Sequence, residues 1–211
     1  MKNIRKLISN KFRLSLIFIV VGLLLSISSC GSKAGWDQVP KILEKINPPE
    51  FPAKEFNIKD YGAIGNGEAM CTQAFKKAID ECNQAGGGKV VVPEGVYLTG
   101  PIHLENNVNL HVKENAKILF SQDPQDYLPL VFTRFEGMEC MNYSPFIYAY
   151  DKQNIAITGK GILDGNADRD HWWPWKGRKE YGWEEGQPNS SQAKDTLRQM
   201  VADGVPVKKR K

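Results

Sequence analysis

The apolar positions of the chain change their spacing three times. Positions 14–27 are almost wholly apolar (LSLIFIVVGLLLSI). Further on, Cys71, Phe75, Ala78, Ile79 and Cys82 recur at i, i+4, i+7, i+8 and i+11, one stripe on a 3.6-residue period. That spacing predicts a helix over 72–85. Gly86, Gly87 and Gly88 then supply a residue without Cβ for its left-handed end. From Lys89 onward the apolar residues come in short runs. Strands are predicted at 89–92, 96–98, 102–104, 108–112, 117–120, 146–150, 155–158 and 162–163, with an earlier one at 56–58. Residues 61–67 carry three glycines and read as a tight, irregular turn. A short helix fits 41–46.

The separators between the short runs are Gly, Pro, Asn and Asp in bends rather than two-residue hairpin turns. Residues 107–112 (NVNLHV) and 154–158 (NIAIT) look like two versions of one unit. Short strands with Asn or Gly at the corners predict an all-β solenoid, each coil adding a strand to a stacked parallel sheet. The striped helix is the natural cap for its first coil. The competing architecture is an antiparallel sandwich.

Charge and cysteine usage separate the ends from the middle. Lys2, Arg5, Lys6, Lys11 and Arg13 precede the apolar run, with no acidic residue among them. About 14 apolar residues suit a signal peptide better than a span of roughly 20. Ile27, Ser28 and Ser29 lead into Cys30, a lipobox-like pattern. The expected organisation is a lipoprotein signal peptide at 1–29, a lipidated Cys30 with a polar, Pro-rich tether at 30–53, and a domain at 54–211. Lipidation at Cys30 would anchor an exported chain to a membrane, at the periplasm or cell surface. The net charge of +4 then becomes −1. That leaves no basic field for nucleic acid, and Lys208, Lys209, Arg210 and Lys211 read as a solvated end. Cys71 and Cys82 would lie about 16 Å apart along one helix, beyond the roughly 7 Å a disulfide tolerates. Cys71, Cys82 and Cys140 are expected as small buried residues, and no cysteine spacing suggests a metal.

The blocks FNIKDYGA with GNG (56–67), GGGKVVVPEG (86–95), YLTGPI (97–102), NIAITG (154–159) and GILDG (161–165) resemble the opening of the pectate-lyase-like superfamily. With TRFEG (133–137) and WWPWKG (172–177), the chain from 56 to 207 resembles glycoside hydrolase family 28, the polygalacturonases, of bacterial lipoprotein type. The resemblance implies a right-handed parallel β-helix, here with its first coils only and the helix as N-terminal cap. It implies hydrolysis of α-1,4-galacturonan with inversion by two carboxyl groups, without a cofactor or metal, in a monomer acting on a polysaccharide. It also exposes a departure. The family's Asn-x-Asp with a partnering Asp-Asp, its Gly-His-Gly and its Arg-x-Lys are not found in the expected context, and His103, His111 and His171 lack flanking glycines. The chain is therefore expected to be a fragment, inactive alone, with no catalytic residue assigned.

Four residues are candidate substrate contacts. Arg134 and Glu136 are two apart, on one face if both lie on a strand, and Arg suits a uronate carboxylate. The alternative is a mutual ion pair ordering the connection 121–144. Trp173 and Trp175 belong to a cluster with Trp172 and Trp183, near His171, Lys176 and Tyr181. Aromatic faces suit sugar rings; the alternative is a hydrophobic plug leaving at most one Trp exposed. Asp164 is expected to serve a turn, Asp168 and Asp170 to lie on a loop surface, and the end of the polar, weakly patterned stretch 184–211 to be poorly ordered. Against the hydrolase stand a surface-anchored, non-catalytic sugar-binding module and a purely structural β-helix.

Overall fold

The computed structural model describes residues 35–211 and divides the chain into two units, 1–48 and 49–211. The signal peptide and Cys30 expected from the sequence lie outside the described residues. In the first unit a 3-10 turn, Gly35–Gln38, leads into the short helix α1, Val39–Leu43. It begins two residues ahead of the expected span because Pro40 fits a first helical turn, where its missing N–H costs nothing. Among the described residues no helix is long and apolar enough to cross a membrane.

The second unit is a parallel β-helix. Its first coil holds β1 (Glu55–Asn57) and β2 (Asn66–Met70), followed by the helix α2 (Thr72–Gln84). The next coil is β3 (Gly88–Val92), β4 (Gly95–Thr99) and β5 (Ile102–His103). The third is β6 (Val108–Val112) and β7 (Ala116–Phe120). After an insertion holding β8 (Val131–Phe135) and β9 (Met138–Asn142), β10 (Ile147–Tyr148) completes it. The last described coil is β11 (Ala156–Gly159) and β12 (Ile162–Asp164). The sheets run β1-β3-β6-β11, β2-β4-β7-β12 and β5-β10, and every pairing within them is parallel. The sandwich alternative is thereby excluded.

Register explains why the rungs are aliphatic. Val90 lies beside Leu110 and Leu110 beside Ile157; Tyr97 lies beside Ile118 and Ile118 beside Leu163. Each inward side chain thus rests on its counterpart in the next coil, and Val90, Leu110, Tyr97 and Ile118 are fully buried. In the last described coil Ile157, Ile162 and Leu163 remain exposed.

Helix α2 closes the first coil. Ala74, Phe75, Ala78, Ile79 and Cys82 are buried against β1 and β3, as the stripe predicts. Cys71 is the residue before the helix, not part of it. Cys71, Cys82 and Cys140 are free and buried. Burial pushes the Cys82 thiol up to about 11, so it stays a packed, protonated group.

Three elements depart from the sequence reading. Asn66–Met70 is a strand rather than a turn; its register shifts between Asn66 and Met70, and Asn66 Oδ1 accepts from the amides of Glu68 and Ala69. This is a bulge, and it carries no apolar alternation to betray it. The insertion holds an antiparallel hairpin, β8 with β9. Its turn is Glu136-Gly137, both at positive φ (47° and 85°), the geometry of a two-residue hairpin turn. Third, the polar, weakly patterned stretch 184–211 contains α3, Ser190–Ala202. Asn189 Oδ1 caps it, accepting from Ser191 and Gln192 at 3.1 Å each, and Leu197 is its one buried side chain. Arg210 is likewise no solvated tail. Its carbonyl accepts from Met141 N at 2.8 Å, and its guanidinium donates to the carbonyls of Val205 and Glu139 at 2.7 and 3.2 Å.

Candidate functional site

The residues singled out in the sequence collect on the insertion and on the loop after β12. Arg134 sits on β8 opposite Glu139, and the pair is joined at 3.2 Å. Glu136 occupies the hairpin turn, so the premise that it shares a strand face with Arg134 fails. Its carboxylate faces Lys194 at 3.5 Å and Arg198 at 3.7 Å on α3. The hairpin tip is thus tied electrostatically to the helix, and neither residue pairs with the other.

Asp164 serves its turn: Oδ1 accepts from Asn166 N at 2.9 Å and Oδ2 from Lys117 at 3.0 Å. The Asn166 amide first, then Lys117, hold its carboxyl below the usual range. Asp168 is more than loop surface. Its Oδ1 accepts from the amides of Asp170 and His171 and lies 2.8 Å from His171 Nδ1, while Oδ2 accepts from Gln122 at 2.9 Å. The His171 contact leads the causes that lower its pKa. Both carboxylates are engaged in holding turns.

Those turns set up the tryptophan loop. Trp173 N donates to His171 O at 2.7 Å across Trp172, whose φ of 62° and ψ of −47° form a strained γ-turn. The turn splits the cluster. Trp172 packs edge-on against Tyr127 (5.5 Å), Phe146 (6.0 Å) and Trp175 (5.1 Å). Tyr127 is itself buried, its hydroxyl donating to Ser121 O at 2.7 Å, and Phe146 stacks on Phe120 of the core at 4.6 Å. Trp173 and Trp175, by contrast, are 46% and 41% exposed. Two tryptophans of the cluster therefore face solvent, where the plug reading allowed one. Trp183 is half-buried and donates to Gln187 O at 2.9 Å.

Two hollows open around this loop. One, about 430 Å³, is lined by Trp172, Trp173, Trp175, Lys176, Tyr181 and Ser190. The other, about 550 Å³, lies between β9 and α3, with Tyr143, Asn142, Cys140, Leu197 and Asn189 in its wall, and shares Trp175 and Ser190 with the first. Tyr143 lies 6.1 Å from Trp175. The sequence reading missed Tyr143 and Asn189, because only the tertiary fold brings β9 and α3 to the tryptophan loop.

Residues 55–113 match a family model described as rhamnogalacturonase A/epimerase, pectate-lyase-like. The chain is 52% identical to a hyperthermoactive exopolygalacturonase of Thermotoga maritima, whose crystal structure it matches with a TM-score of 0.77, over 81% of this chain and 38% of that one. An exo-poly-α-D-galacturonosidase of Dickeya chrysanthemi is 35% identical over 122 residues, covering 54% of this chain and 20% of the relative. A probable polygalacturonase of Vitis vinifera is 28% identical over 173 residues, 77% of this chain and 34% of the relative. The chain thus spans between a fifth and two fifths of these three proteins.

Proposed function

We propose that this chain supplies β-helix coils of a polygalacturonase-like glycoside hydrolase that cleaves α-1,4-galacturonan with inversion. The observation that carries the reading is the 52% identity, over four fifths of this chain, to an exopolygalacturonase with the same coil architecture. Inversion needs two carboxyl groups about 6.5–9.5 Å apart around a water. Asp164 and Asp168 are committed to turns, so the reading assigns no catalytic carboxylate to this chain, and activity belongs to a length closer to that of the relatives. Arg134, Glu136, Trp173 and Trp175 remain candidate substrate contacts. The tryptophans have the better support, since Arg134 and Glu136 already face opposite charges.

The test is a chimera in which this chain replaces the matched part of the Thermotoga exopolygalacturonase. Release of reducing ends from polygalacturonate by the folded chimera, and none by this chain alone, is expected. A chimera with native circular dichroism and no hydrolysis overturns the reading, as does turnover by the chain alone.

The second reading is a surface-anchored, non-catalytic carbohydrate-binding module; the exposed Trp173 and Trp175 beside Lys176 favour it. Both readings share export and a lipid on Cys30, supported by the basic start, the apolar run at 14–27 and Ser28-Ser29-Cys30. Incorporation of labelled fatty acid that is lost in Cys30→Ala is the expected result.

A further inference from the structure

We infer that the apolar face of residues 36–46 is an interface for β-helix coils that continue the stack past β12. The inference rests on the polygalacturonase-like reading above, and it makes a segment expected from the sequence to be a tether into a part of the hydrolase domain.

Val39, Ile42, Leu43 and Ile46 stand at i, i+3, i+4 and i+7, with Trp36 three residues ahead. That is one helical stripe. It is carried by the 3-10 turn Gly35–Gln38, by α1, and by the turn bonds from Lys45 N to Ile42 O and Ile46 N to Leu43 O, at 3.0 and 3.1 Å. Asp37, Gln38, Lys41, Glu44 and Lys45 fall between the apolar positions. Yet no residue of Gly35–Leu43 is buried, and Trp36, Ile42, Leu43 and Ile46 are 89%, 53%, 60% and 56% exposed. A helix this short draws its stability from packing an amphipathic face, not from propensity.

Three observations name the occupant. The first is a direction. The Lys54 carbonyl accepts from Lys89 N in the second coil, and its Nζ donates to Ala85 O just past α2, both at 2.8 Å. Four residues earlier, Glu50 O accepts from Asn154 Nδ2 at 2.8 Å, at the start of the last described coil. Two strand spacings of about 4.8 Å separate those corners, and four extended residues reach about 13 Å. Residues 50–54 therefore run along the stack, against the order of the coils, and bring the backbone at Glu50 to the β11 end. The second is an open rung. β11 and β12 are the outer strands of their sheets, with Ile157, Ile162 and Leu163 exposed, and a rung of this kind is completed by another coil stacked on it. The third is the relative. The match to the exopolygalacturonase takes in 81% of this chain, more than residues 49–211 hold, so it reaches into the first unit while using 38% of that protein. A lipid surface has weaker support, because Asp37 and Glu44 offset Lys41 and Lys45 and leave no net positive charge to draw the segment to anionic headgroups.

The experiment uses the chimera described above, in which this whole chain replaces the matched part of the Thermotoga exopolygalacturonase. Acrylamide quenching of Trp36 is taken as the difference between each protein and its Trp36→Phe variant. It should be strong in this chain alone and fall several-fold in the chimera. Trypsin should cut after Lys41 and Lys45 in this chain and spare both sites in the chimera. Ile42→Ser combined with Leu43→Ser should restore cleavage in the chimera and change nothing in the chain alone. Equal quenching of Trp36 in the chain and the folded chimera overturns the inference, as does protection that the paired variant leaves intact. Shielding of Trp36 only on vesicles of phosphatidylethanolamine and phosphatidylglycerol assigns the face to lipid and also overturns it. If the large chimera does not fold, residues 35–54 alone replace the matching stretch of the exopolygalacturonase, and the same readouts decide. A folded chimera that shields Trp36 yet releases no reducing ends keeps the interface and removes the galacturonan reading. A hydrolytic one with Trp36 exposed does the reverse.

Discussion

Asn154 lies one coil beyond Asn107 and donates from Nδ2 to its Oδ1 at 3.1 Å. Both residues hold left-handed backbones, φ 53° and 61°, a conformation that Asn tolerates better than other residues with a Cβ. The same bend is stitched along the backbone: Gly88 N donates to Asn107 O at 3.0 Å, and Asn107 N to Gln153 O at 3.1 Å. The second Asn154 amide hydrogen reaches Glu50 O at 2.8 Å. This corner sets where each strand of the first sheet begins.

From that corner, Asn154→Ala should lower stability by about 1–2 kcal/mol, through the left-handed backbone and the lost hydrogen bonds. Asn154→Gly keeps the backbone free and should cost less than half as much. Urea midpoints followed by circular dichroism check the order of the two variants.

The cap makes a larger demand. Phe75 is 1% exposed, in the centre of the α2 stripe. Phe75→Ala should cost about 3–5 kcal/mol, the range for emptying a buried aromatic site. Lys76, next in the chain but exposed, should tolerate Ala within about 0.5 kcal/mol. Equal effects in a thermal melt would mean the helix does not close the first coil.

The rungs and the cap were legible in the sequence because packing repeats locally: Val90, Leu110 and Ile118 mark the coil interior by spacing alone. The hairpin was not. Its signal is Glu136-Gly137 at positive φ, and Glu is a poor advertisement for such a turn. Helix α3 was missed because a single residue, Leu197, carries its buried face, while Asn189 does the rest from outside. Of the site, the density of tryptophans was visible. The γ-turn that exposes two of them and packs a third against Tyr127 and Phe146 was not, since it depends on Asp168 and His171 closing the loop. Tyr143 reaches Trp175 only through the folded insertion.

Acidification should destabilise the domain above the carboxylate range. Burial lowers the pKa of both His103 and His111. His103 Nε2 lies 2.9 Å from Ser144 Oγ, and His111 Nδ1 lies 2.8 Å from Thr158 Oγ1. A folded pKa below the unfolded one means that the unfolded chain takes up the proton first. The contribution is complete above an unfolded value of about 6.5 and is lost as pH falls toward the folded values. The melting temperature should therefore fall between about pH 7.5 and 5.5, and His103→Gln should flatten that slope. A rise in melting temperature over this window would contradict the lowered pKa of these rings.

The bend between β11 and β12 offers the sharpest backbone test. Gly159 has φ +104°, and a Cβ there would stand 1.9 Å from Val112 O of the preceding coil. The same carbonyl accepts from Lys160 N and Gly161 N, each at 3.1 Å. Moving it away to admit a methyl group would break both bonds and lift the last described coil off β6. Gly159→Ala combines a forbidden backbone with a clash that no rotamer relieves, so the cost should exceed the roughly 1 kcal/mol of an ordinary Gly replacement by several-fold. Hydrogen exchange should then show faster exchange at Lys160 and Gly161, while amides in β3 and β6 nearer the cap keep more of their protection. Uniform loss across all coils would instead mean that the stack unfolds as one unit, with no weaker end.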